Sequence, residues 1–316
     1  MSANDSMPSL WSRRGLLAAL AAGSVMALSG CRVQLEEDAP RIPLVPARVP
    51  MKDEKTLLAM LENTRSLGSL ATSVPGGPRS TAGRLSSVHD GQVAVLERLL
   101  REGGVPETLL GSLPAGVLSR PVLSPPVLPL AVLSAAESAS VNDLSLAGLA
   151  DAHVALMGSL LAQRRAAVNL LGGSVAPVAP ADLGGAQVVA LLAAVRSAVY
   201  GFEVVAAHIE PKSQSLATTT LSSLRERASE LEKLTGSPPP TPLGYVLPFS
   251  VTDPKSARRL ALHVLNALLS DQAAALEPAA GDANALATLT HWLGQTEAVA
   301  SRWGAPLAAF PGLTEG

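Results

Sequence analysis

Proline placement constrains this chain more than any other feature. Most of its 25 prolines fall in a few places: Pro40 to Pro50, Pro75 with Pro78, Pro106 to Pro129, Pro177 with Pro180, Pro211, Pro238 to Pro242, and Pro306 with Pro311. A proline inside a helix removes a backbone donor and clashes with the preceding turn, so each cluster is a boundary. The stretches between are long and rich in Ala, Leu and Val, which are apolar and, for Ala and Leu, strongly helix-forming. Only eight aromatic residues are present, so the side chains that favour strands are scarce. These features predict an all-α fold.

Apolar residues at intervals of three and four place the helices. Leu57, Leu58, Leu61 and Leu70 mark a helix from about 53 until Pro75-Gly76-Gly77-Pro78 stops it. Leu85, Val88, Gln92, Leu96 and Leu100 mark another over 80–102, closed by Gly103-Gly104. The proline-rich stretch 105–129 is expected to wrap the surface, with a helical turn over 107–112. Helix resumes near Leu130, and a long one is expected over 143–171 with His153 on its apolar stripe. The segment 183–209 is apolar nearly all round and is expected to be a central helix. The segment 213–235 is amphipathic, with Arg225, Glu226, Arg227, Glu230, Glu232 and Lys233 expected as its solvated face. Asp253-Pro254 reads as a cap followed by proline at the first helical position, opening a helix to about 277. A last helix is expected over 282–303, and 305–316 as a poorly ordered strap.

The N-terminus carries an address. Ser12-Arg13-Arg14-Gly15-Leu16-Leu17 resembles a twin-arginine export signal, and Leu28-Ser29-Gly30-Cys31 resembles a bacterial lipobox, in which the cysteine thiol receives a diacylglycerol. The apolar run from Gly15 to Gly30 is shorter than the roughly 20 residues a membrane helix requires. The expected organisation is a signal peptide over 1–30, a proline-rich tether over 31–52, an N-terminal helical region over 53–175 and a four-helix domain over 183–304. Removal of the signal leaves 286 of the 316 residues, enough for two average domains or one large one. Cys31 is the sole cysteine, which leaves the mature chain neither a disulfide nor a catalytic thiolate. A net charge of −2 gives no basic excess for nucleic acid.

Two stretches carry a family resemblance: Ser197-Ala198-Val199-Tyr200-Gly201-Phe202, and Tyr245-Val246-Leu247-Pro248-Phe249-Ser250-Val251-Thr252-Asp253-Pro254. With them the second half, from about Gln187 to Trp303, resembles a ferritin-like four-helix domain of unknown function found in exported actinobacterial proteins. The resemblance implies an up-down four-helix bundle in the C-terminal half, beside a further helical bundle in the N-terminal half. Relatives tend to carry a Glu-His pair where this chain has Val195 and Arg196. A di-iron bundle needs a Glu-x-x-His from each of two helices, and none of the five histidines here has a Glu three residues before it. No metal or other cofactor is therefore expected.

Arg196, Tyr200 and Glu203 share one stripe of the apolar helix and form the candidate polar site of the core. It either holds an anion or is a structural network in which Arg196 finds a carboxylate on another helix. His89 and His153, with Asp151 or Glu97, are weighed as metal ligands, but their spacing makes no motif. His263 and His291 read as satisfied or exposed helix residues. No catalytic residue is assigned, and a non-enzymatic role is favoured. The function expected is a binding or scaffolding module anchored through Cys31 at the outer face of the cytoplasmic membrane, exported by the twin-arginine translocase. One alternative is a cavity protein for an apolar ligand or lipid, and another a metal-dependent ferritin-like oxidoreductase.

Overall fold

The computed structural model describes residues 48–111, 128–143, 145–146, 148–176, 178–181 and 183–313. The expected signal peptide with Arg13 and Arg14, the expected lipidation site Cys31, most of the expected tether and the proline-rich stretch 112–127 lie outside the described residues.

The described chain is helical, with no strand among those residues. The helices are α1 (Glu54–Ser73), α2 (Thr81–Glu102), α3 (Glu107–Leu110), α4 (Leu130–Asp143), α5 (Asp151–Leu170), α6 (Gly185–His208), α7 (Gln214–Thr235), α8 (Pro254–Ala274) and α9 (Ala283–Trp303). Their ends follow local chemistry. Ser80 accepts the Gly83 amide to start α2. Asp253 and Ser256 form a reciprocal capping box at α8, with Pro254 in the first turn. Asp282 accepts the amides of Asn284 and Ala285 to start α9.

In the N-terminal half α1 packs on α2 and α4, and α5 packs on α2 and α4. In the C-terminal half α6 lies between α7 and α8, and α8 packs on α9. The halves meet where α5 packs on α9 and α8. One apolar core runs through both, from Leu57 and Leu96 through Met157 and Leu160 to Phe202, Leu260 and Trp303. Pro50–Gly316 form one compact unit. The two helices come close at Gly294 of α9, where a Cβ would lie 2.6 Å from the Ala162 carbonyl of α5. Only glycine lets those backbones come so near.

Three expectations are corrected. The helix expected over 143–171 begins at Asp151 instead. Its start is fixed from outside, since the Asp53 carboxylate accepts the Ala150 amide at 2.7 Å and meets His153 Nδ1 at 2.9 Å. Helix α6 is not central. It is the one described helix long and apolar enough to cross a membrane, yet only 44% of its most apolar window is buried and Val189 is exposed. Helices α5 and α9 fill the centre.

The third correction concerns the tail, which packs rather than trails. Ser159 donates to the Pro311 carbonyl at 2.7 Å, Gln92 to the Ala309 carbonyl at 2.9 Å, and Glu297 accepts the Ala308 amide at 2.9 Å. These partners sit on α5, α2 and α9, so residues 305–313 strap three helices together, with Phe310 buried beneath. Gly312 makes the turn at φ +75°, and a Cβ there would meet the Leu269 carbonyl.

Candidate functional site

Helices α7, α8 and α9 enclose a cleft of about 300 Å³. Thr220, Ser223, Leu224 and Arg227 reach it from α7, and His291, Gln295, Val299 and Arg302 from α9, each set spaced at helical intervals so that one stripe faces inward. Leu265 and Leu268 of α8 add apolar wall, while Asn169, Val178 and Pro180 close one end.

Arg227 dominates the interior. Its side chain is 12% exposed, and its guanidinium carbon lies 4.8 Å from the centre of the Trp292 ring, a cation–π contact. Its nearest carboxylate is Glu230, at 3.7 Å from Nε, longer than a hydrogen bond. Nη2 donates to the Gln295 carbonyl oxygen, and the Gln295 amide in turn donates to His291 Nε2 at 2.9 Å. That bond requires a neutral imidazole with its proton on Nδ1. Burial lowers the Arg227 guanidinium to about 10, with Glu230 acting the other way. His291 is brought down to about 4, by burial first and then by the charges of Arg165 and Arg227. Arg165 Nε is buried without a hydrogen-bond partner among the described residues, and burial lowers its guanidinium too. Arg302 is held at the rim by Asn169. The interior is thus positive, and its acids, Glu226 and Glu230, lie toward solvent.

The sequence places Arg227 and Glu230 on a solvated face, and for Arg227 the structure corrects this. The missed signal is its register: Leu224, Ala228 and Leu231, at three before, one after and four after, are all buried. What covers Arg227 is Trp292, on a helix far away in sequence, which the spacing within α7 cannot reveal.

Arg196, Tyr200 and Glu203 do not converge. Arg196 binds Glu232 of α7 at 2.8 Å and the Pro239 carbonyl at 2.7 Å, at the edge of the fold, where Glu232 is 40% exposed. Glu203 meets Arg225 at 2.7 Å, both well exposed. Tyr200 packs its ring 5.6 Å from that of Tyr245, joining the two stretches that carry the family resemblance. The stripe is real, but α6 lies at the surface, so its polar groups turn outward to separate partners. A smaller chamber of about 120 Å³ opens beside the tyrosines, lined also by His263 and Asp271. Burial raises the Asp271 carboxyl.

The most buried polar cluster lies in the other half, where the sequence offers only His89 as a candidate site residue and Gln92 as a member of a helix stripe. His89 Nε2 meets Glu137 Oε1 at 2.8 Å, Arg164 Nη1 meets Glu137 Oε2 at 3.3 Å, and Arg164 Nη2 donates to Thr64 at 2.9 Å. Gln92 donates to Gln163 at 3.0 Å beside them. All six side chains are closed to solvent. Helices α1, α2, α4 and α5 each supply a member. His153 pairs with Asp53 and Glu97 with Arg65 and Arg101, so neither shares a centre with His89. No group of three or more His, Cys, Asp or Glu converges on one point among the described residues. The Arg164 guanidinium sits where the acid and the imidazole meet, and the site is packed.

Comparison with known proteins gives one likeness: residues 186–315, which include α6 to α9 and the strap, match the family model of a domain of unknown function, DUF4439. No curated protein and no solved structure matches the chain.

Proposed function

We propose that this chain is a lipid-anchored, extracytoplasmic helical module that binds a small, partly apolar ligand in the cleft between α7, α8 and α9. The observation that carries the proposal is the cleft itself: a concave space in which an apolar wall of Leu224, Leu265, Leu268 and Val299 meets convergent polar groups, two of them, Arg227 and His291, with shifted proton affinities, as in a small-molecule site. The lipobox resemblance at Cys31 and the arginine pair Arg13-Arg14 support export by the twin-arginine route and retention at the outer face of the cytoplasmic membrane. The ferritin-like resemblance supports the bundle architecture of this reading.

Two measurements test it. Cys31→Ala should move the protein from washed membranes to the soluble fraction, and equal retention after a high-salt wash would overturn the anchor. Native mass spectrometry of the detergent-free mature protein should find a small molecule bound one to one, and solvent extraction should release it. A bare protein that binds nothing from a total membrane extract would overturn the ligand module.

A further inference from the structure

We infer that the ligand of this cleft is an anion, with a carboxylate, phosphate or sulfonate group seated against Arg227 and an apolar body lying along Trp292, Leu224 and Val299. This rests on the proposed ligand module and names the chemistry it selects.

A buried guanidinium persists when its charge is met. Arg227 falls short of that inside the protein. Its one close bond in the cleft goes to a neutral amide, and Glu230 stands off at 3.7 Å with its own side chain 42% exposed. Solvent screens a rim carboxylate of that kind, whereas a ligand oxygen bound at the floor would be dry. Gln295 holds one edge of the guanidinium, and Trp292 holds its face, so the group is fixed before any ligand arrives. Arg302, tied back by Asn169, adds a second cation at the rim, and Arg165 stands behind His291 with its Nε unmet. Neutral His291 carries its free proton on Nδ1 and has no charge to set against the field of the arginines. Two arginines from two helices, Arg227 and Arg302, thus line the cleft, with the charge of Arg165 on α5 acting on His291, while Leu224, Leu265, Leu268 and Val299 supply its apolar wall.

The test uses two fluorescent probes that differ by one charged group: 8-anilinonaphthalene-1-sulfonate and the neutral N-phenyl-1-naphthylamine. The protein is the mature chain from residue 31 carrying Cys31→Ala, which needs no detergent. The sulfonate probe should bind about tenfold more tightly than the neutral one, as expected for a charge-assisted hydrogen bond. Arg227→Gln should weaken the sulfonate probe by about the same factor and leave the neutral probe within about twofold. Glu230→Gln tests the same point without touching Arg227, and should tighten the sulfonate probe alone. Equal affinities for the two probes, unchanged by either substitution, would overturn the anion and leave a neutral-ligand module standing. Binding of neither probe would overturn both.

Discussion

Arg164 Nη1 and Glu137 Oε2 lie 3.3 Å apart in the interior of the N-terminal half, and neither side chain has any exposed surface. Burial lowers the Arg164 guanidinium, while Glu137 holds it up. Arg164→Met keeps the volume but leaves Glu137 with the His89 imidazole as its remaining partner, and removing one member of a buried charged pair typically costs about 3–5 kcal/mol. Urea unfolding should show a loss of that order. Adding Glu137→Gln should restore part of it, because the buried charge is then gone. A loss below about 1 kcal/mol for Arg164→Met would show the pair to be ornamental.

The α5–α9 seam makes a steric prediction. At Gly294 an added methyl would meet the Ala162 carbonyl at 2.6 Å and Arg165 Cβ at 2.9 Å, and the first of these is backbone that cannot rotate away. Gly294→Ala should destabilise by about 1–3 kcal/mol through overpacking. Gly148→Ala, where a Cβ meets nothing within 4 Å, should stay within about 0.5 kcal/mol in the same melt. Equal melting temperatures would mean that the helices do not approach so closely.

Two groups give the fold a pH dependence, with opposite signs. Burial raises the Glu297 carboxyl to about 7 against the Ala308 amide that favours its charge. The unfolded chain ionises it at the ordinary 4.5, so between about 4.5 and 7 the folded state holds more protons and stability falls as pH rises. His291 has its folded value near 4 against 6.5 unfolded, so from about 6.5 down to 4 the unfolded state holds more protons and stability falls as pH drops. Over their shared window the two slopes oppose each other. Glu297→Gln should therefore unmask a protein that loses stability steadily from pH 6.5 toward 4, and should gain about 2–3 kcal/mol at pH 8. Unfolding midpoints across pH 4 to 8 that match the parent's would place neither group where the structure has it.

Arg196→Met separates what sequence spacing suggests from what the fold provides. A buried pair in a central helix predicts a loss above about 2 kcal/mol. In the structure Arg196 pairs with a carboxylate 40% exposed, and its other bond goes to a loop carbonyl. The loss should be about 1 kcal/mol, near the top of the surface-pair range. A loss above about 3 kcal/mol would restore the polar-core reading of α6.

Helix positions were legible because their signals are local. Pro75, Gly103, Pro211 and the Asp253-Pro254 start each act within a turn or two of themselves, and α1, α2, α7 and α9 begin and end within a residue or so of where those signals put them, while α8 begins there and ends at Ala274, three residues before the expected 277. What failed depended on contacts distant in sequence. The start of α5 is set by the Asp53 carboxylate, and no residue near Ala150 announces it. The strap is held by Gln92, Ser159 and Glu297, which its own proline-rich sequence cannot specify. The sequence puts the candidate polar residues on the most apolar helix, on the principle that such a helix is enclosed. Helix α6 breaks that inference, since small alanines tolerate partial exposure, and the buried arginines sit instead on the largely buried α5 and the amphipathic α7. Arg164 and Arg227 are ordinary in sequence and become exceptional through His89, Glu137 and Trp292.

The most direct measurement of the cleft as a ligand site is the indole N–H signal of Trp292 in a ¹H–¹⁵N spectrum of the mature Cys31→Ala chain. Trp292 and Trp303 are the only tryptophans after Cys31, so the mature chain gives two indole peaks. Trp303 is sealed in the core, donating to Thr220 at 3.2 Å, while Trp292 lines the cleft beneath Arg227. Titration with 8-anilinonaphthalene-1-sulfonate should shift the Trp292 peak saturably and move that of Trp303 far less. A Trp292 peak that stays in place while the probe binds elsewhere, or while it binds nowhere, would contradict the ligand cleft.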